Sequence, residues 1–191
     1  MKLRINTLPC AIAAALVLPM VGSAQKPCPE GEPTAESYTW DFAGEASELL
    51  ATVESGADRL AYIADGLSYY PTTNRTSHAS RWMQVRDQIN DLSETLCRLQ
   101  IIHRVTLPWQ QEAIDRTLPE MRAMAANAQS AIEFLNENPG NLFNPDYRDY
   151  ARSVFQTSSD LSAMLSDFQD YAQAKTDVNR LEQALELSPA P

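Results

Sequence analysis

Residues 77–103 read SHASRWMQVRDQINDLSETLCRLQIIH, and within them Trp82, Val85, Ile89, Leu92, Leu96 and Leu99 recur at alternating steps of three and four. Three heptads of that rhythm lay one apolar stripe along a helix about 40 Å long, since each residue adds about 1.5 Å. A stripe of this kind needs other helices to cover it, so the stretch predicts a helical bundle.

The rhythm continues on both sides. Upstream, Ala46, Leu49 with Leu50, Val53, Ala57, Leu60, Ile63 with Ala64, and Leu67 define a helix over 44–67. Gly56 near its seam lowers helix propensity but admits a close neighbour. Downstream, Leu118, Met121, Ala125, Ala128, Ile132 and Leu135 define a third helix that stops at Asn138-Pro139-Gly140, and its small residues Ala125, Ala126 and Ala128 predict close packing. Thr106-Leu107-Pro108 reverses the chain before it. Thr117-Leu118-Pro119-Glu120 has capping-box spacing and reads as either a kink or a fresh helix start.

A fourth helix follows Asn144-Pro145 and runs to about Leu187, with Tyr147, Tyr150 with Ala151, Val154, Ser158, Leu161, Leu165, Phe168 and Ala172 on one face. Its phase slips near Lys175 before Val178, Leu181 and Leu185 resume the apolar pattern, and at roughly 40 residues it should overhang its neighbours or bend back. Short connections make consecutive helices neighbours. The fold class is therefore all-α, an antiparallel up-down-up-down four-helix bundle over 44–187, with 188–191 a frayed tail.

Ahead of the bundle, Lys2 and Arg4, the apolar run Ala11 to Val21, and the small residues Gly22-Ser23-Ala24 form a signal peptide over 1–24. Pro9 and Pro19 flank a run short of the ~20 apolar residues a membrane span needs, so no span is expected after cleavage. Residues 25–43 hold three prolines and then Tyr38-Thr39-Trp40-Asp41-Phe42, and read as an extended N-terminal arm laid on the helical core. These features predict an exported protein, periplasmic or secreted.

The whole chain has 191 residues and a net charge of -10. Without residues 1–24 it keeps 13 Lys and Arg against 25 Asp and Glu. That field repels phosphate backbones and anionic headgroups, so no nucleic-acid partner is expected. Export removes Cys10 and leaves Cys28 and Cys97 in an oxidising compartment, where a Cys28–Cys97 disulfide would pin the arm to the second helix. Two separate thiols or an intermolecular bridge are the alternatives.

Several chemistries lack their residues. A carboxylate-bridged metal pair in a bundle uses Glu-x-x-His, but Arg75 stands three before His78 and Gln100 three before His103. Cys-x-x-Cys-His for covalent haem, a Cys2His2 zinc pattern and a Gly-x-Ser-x-Gly nucleophile elbow are absent. No metal site and no catalytic residues are assigned. Non-covalent haem or a small hydrophobic ligand inside the bundle is the second reading, with His103 and Met121 as its ligands.

The bundle order brings the 68–77 and 136–146 connections to one end. Tyr69, Tyr70, Arg75 and Phe143 are the candidate contact residues there, on two loops whose aromatic, amide and hydroxyl groups suit a protein or glycan partner. The competing account makes Tyr69, Tyr70, Leu142 and Phe143 an apolar lid on the core. The function expected is non-catalytic: an exported interaction, sensing or envelope-accessory module.

Overall fold

The computed structural model describes residues 42–69 and 74–185. They form α1 (Phe42–Tyr69), α2 (Arg75–Ile102), one 3-10 turn (His103–Val105), α3 (Pro108–Glu137) and α4 (Pro145–Ala184), with no strand among them. The helices pack in a square. α1 lies between α2 and α4, and α3 closes the opposite corner against the same two helices. This is the antiparallel four-helix bundle that the apolar spacing predicts.

The seams meet where the periodicity places them. Ala46, Leu50, Val53, Ala57, Leu60 and Leu67 of α1, Trp82 to Leu99 of α2, Met121 and Leu135 of α3, and Tyr147 to Leu165 of α4 form one buried cluster. Each large aliphatic side chain enclosed there contributes roughly 1.5–3 kcal/mol of hydrophobic stabilisation. Gly56 does admit a close neighbour, since a Cβ on it would sit 2.4 Å from Leu92 Cδ2. Ala128 is buried as expected in α3, but Ala126 is exposed and takes no part in packing.

Helix boundaries follow from caps. Asn74 opens α2 by accepting from the Ser77 amide at 3.0 Å, and Asn144 opens α4 by accepting from the amides of Asp146 and Tyr147 at 2.8 and 3.3 Å. At the start of α3 the Gln110 side chain reaches back to the Leu107 amide at 2.9 Å. Gln110 is fully buried, and its Nε2 donates to Ala43 O at 2.7 Å and Ser47 Oγ at 2.9 Å. That clamp holds the first turn of α1. Phe42 and Ala43, read from sequence as the end of the arm, are therefore helical; the rest of the segment read as an arm, residues 1–24 read as a signal peptide, and 186–191 lie outside the described residues.

The Pro119 alternatives resolve as a single helix. α3 runs through Pro119 without a new start, and Thr117 is not an N-cap: its hydroxyl donates to Ala113 O at 2.7 Å inside the helix. Pro119 removes the donor to the Asp115 carbonyl and crowds the preceding turn, yet the helix continues through it.

α4 departs from expectation in its second half. Gln169 Nε2 donates to Glu54 Oε2 at 2.5 Å, and from that level α1 has twelve residues left to Phe42 while α4 has fifteen left to Ala184. At about 1.5 Å per residue, α4 passes the start of α1 by only about one turn. Yet Tyr171, Val178, Leu181 and Leu185 are exposed. They do not resume the core seam. The positions that continue the buried phase are Thr176, Asn179 and Gln183, all polar and all exposed.

Candidate functional site at the loop end

Two helix starts and two helix ends meet at the loop end, and a buried aromatic group lies beneath them. Tyr147, in the first turn of α4, is 1% exposed and reaches across the core to α2. Trp82 Nε1 donates to its hydroxyl oxygen at 2.8 Å, and His78 Nδ1 lies 2.8 Å from the same oxygen. An indole N–H can only donate, so the Tyr147 oxygen accepts from Trp82, and the same hydroxyl is hydrogen-bonded to His78 Nδ1. Phe134 of α3 stacks on Tyr147 with ring centroids 5.5 Å apart. Burial pushes the Tyr147 phenol up to about 12, against the opposing effect of the Trp82 hydrogen bond.

This hub supports the loops. Asn138 closes α3 through its amide to Phe134 O at 2.8 Å, and two turns follow, Asn141 N to Asn138 O at 3.1 Å and Asn144 N to Asn141 O at 3.4 Å. Leu142 packs, half-buried, against the core, whereas Phe143 is 66% exposed. The lid account therefore holds for Leu142 but not for Phe143. Arg75 is exposed and directs Nε at the Leu135 carbonyl at 3.5 Å, joining the start of α2 to the end of α3. Tyr69 ends α1, and Tyr70 lies outside the described residues.

Beside these groups the outer side of α2 carries an open groove of about 560 Å³ lined by Asn74, Thr76, Ser77, Ser80, Arg81 and Gln84. Its lining is amide, hydroxyl and guanidinium. Arg81 crosses α1 at Gly66, where a Cβ would meet its Nη1 at 1.9 Å. The groove offers hydrogen-bond donors and acceptors at the bundle end that also carries the exposed Phe143 ring.

His103 stands at the other end, Met121 lies midway along α3, and the two are not brought together. His103 sits in the turn after α2 with 28% of its side chain exposed, and its Nε2 lies 3.2 Å from Asp115 Oδ1. That nitrogen is buried and makes no aligned hydrogen bond among the described residues. The groove there, about 220 Å³, is lined by Gln100, His103, Arg104, Ile114, Asp115 and Leu118. Met121 is buried in the core six residues beyond Asp115, about 9 Å along α3.

Among the described residues no three His, Cys, Asp or Glu side chains converge as a metal set, and no helix is long and apolar enough to cross a membrane. Cys97 stands half-buried on α2; Cys28 is outside the described residues. Sequence reasoning missed His78 as a member of the loop-end hub, although its i,i+4 spacing to Trp82 on the buried face is a legible signal. Comparison with protein-family models, with curated proteins and with solved structures finds no match to this chain.

Proposed function

We propose that this protein is an exported, non-catalytic interaction module that recognises a protein or glycan partner through the loop end of its bundle. The observation that carries the reading is Phe143, a large aromatic ring left two-thirds exposed on a loop whose neighbour Leu142 is folded inward. Exposed aromatic side chains on rigidly supported loops are the residues that anchor interfaces. Arg75 and the polar groove along α2, at the same end of the bundle, would supply directional contacts in addition to that anchor, and Tyr69 and Tyr70 remain the further contact residues that the sequence proposes.

Substituting Phe143 by alanine should abolish capture of the partner from an envelope extract, or binding on a glycan array, while leaving Tm unchanged. A clear fall in Tm would return Phe143 to a packing role. Export rests on the basic and apolar segment at 1–24, and intact mass of the exported chain tests it, with cleavage after Ala24 expected.

Cys28 and Cys97 are proposed to join the arm to α2 in the oxidising compartment. In the chain-entropy account, Cys28→Ser should then lower stability by roughly 2–4 kcal/mol. Equal denaturation midpoints for the protein with and without reductant would remove the bridge from the account.

A further inference from the structure

The exposed apolar residues of the α4 C-terminal half form a stripe. Tyr171, Ala174, Val178, Leu181 and Leu185 follow at steps of three and four, the a and d positions of two heptads. Four of them are large and more than half exposed, at 54%, 52%, 56% and 65% for Tyr171, Val178, Leu181 and Leu185. At 100° per residue the stripe lies roughly 160° round the helix from the buried face of Tyr147 to Leu165. It points away from the bundle.

We infer that this stripe pairs with the same stripe of a second copy, antiparallel, as a short two-stranded coiled coil. Charge decides the orientation. With Tyr171 and Val178 at a, Lys175 and Glu182 fall at the flanking e positions and Asp170 and Asp177 at g. Neither Lys175 nor Glu182 has an ion-pair partner among the described residues, whereas Asp177 is held within its own helix by Arg180 at 3.0 Å and Gln173 at 3.2 Å. Antiparallel pairing sets Lys175 against the partner's Glu182 twice over. Parallel pairing sets Asp177 against the partner's Glu182, two repulsions that cancel the two attractions of Asp170 with the partner's Lys175, so only the antiparallel order keeps a net attraction.

Side-chain size agrees. Antiparallel layers place Val178 against the partner's Leu181 and the small Ala174 against the partner's Leu185, large filling small. Parallel layers would stack Ala174 on itself and leave a gap. The two bundles also stay apart, because each lies on the far side of its own α4 and the helices run in opposite directions.

Sedimentation of the purified protein over a wide concentration range tests the pairing. The expected result is a reversible rise from the mass of one chain to that of two. Leu181→Glu should weaken the dimer about tenfold or more at unchanged Tm. Glu182→Lys should also weaken it, and adding Lys175→Glu to that variant should restore it. A wild type that stays monomeric overturns the inference, and a loss of Tm in its Leu181→Glu variant would identify residues 25–41 as the occupant instead. A dimer indifferent to Leu181→Glu, or one strengthened by Glu182→Lys, overturns it as well.

Discussion

Truncating Tyr147 to alanine should lower the free energy of unfolding by about 3–5 kcal/mol, the range for removing a fully enclosed aromatic ring. The ring packs on Phe134, and its hydroxyl joins Trp82 and His78 from across the core. Tyr147→Phe separates the two contributions. It keeps the ring but leaves the Trp82 N–H without its acceptor, a loss of roughly 1–3 kcal/mol. Denaturant unfolding of both variants checks the order, and a phenylalanine variant as stable as the wild type would strip the hydroxyl of its role.

The same residue predicts an alkaline effect. Its phenol titrates at about 12 in the fold and near 10 in the unfolded chain. Above about pH 10 the unfolded state releases that proton while the folded state retains it, so the contribution to stability is complete below pH 10 and lost as pH rises to about 12. The two-unit difference corresponds to about 3 kcal/mol. Tyr147→Phe should lack this component, so the wild type should lose more stability than the variant between about pH 8 and pH 11. Equal losses would show that other groups govern the alkaline transition.

The second large effect is expected at Gly56. A Cβ there would stand 2.4 Å from Leu92 Cδ2 and 3.1 Å from its Cγ, and Leu92 is only 2% exposed. Alanine gains about 1 kcal/mol of helix propensity but must displace an enclosed leucine, so a net loss of about 1–2 kcal/mol is expected. Valine, with two further methyl groups, should cost about 2–4 kcal/mol. Gly66 is the control. Its Cβ would meet the end of the Arg81 side chain, which can swing aside, so Gly66→Ala should stabilise by about 0.5–1 kcal/mol. Thermal unfolding of the alanine variants should shift Tm in opposite directions; the same sign at both sites would refute the close approach of α1 and α2.

Much of the architecture is legible before any coordinates. The three-four spacing from Trp82 to Leu99 is the buried face of α2 residue by residue, and the glycine beside the α1 seam marks the helix contact. Proline at 108 and asparagine at 144 mark starts of helices, because each meets a local backbone requirement that the residue type satisfies alone. Pro119 misleads, since the local rule says break and the cost is absorbed by contacts distant in sequence. Phe42 and Ala43 are helical for a similar reason, a clamp from Gln110 some sixty-seven residues away.

The candidate site divides along the same line. That two loops share one end follows from helix order, but which of Leu142 and Phe143 turns inward depends on the core that the loop meets in the folded molecule. The apolar run at the end of α4 is visible as a pattern, while its direction is set by where the bundle lies. Periodicity in the chain determines which residues form a helix and which share a face, because those depend on neighbours three and four positions apart. The joining of His78, Trp82 and Tyr147, and the outward turn of Phe143 and Leu181, were decided by packing, because burial is a property of surfaces that meet only in the folded molecule.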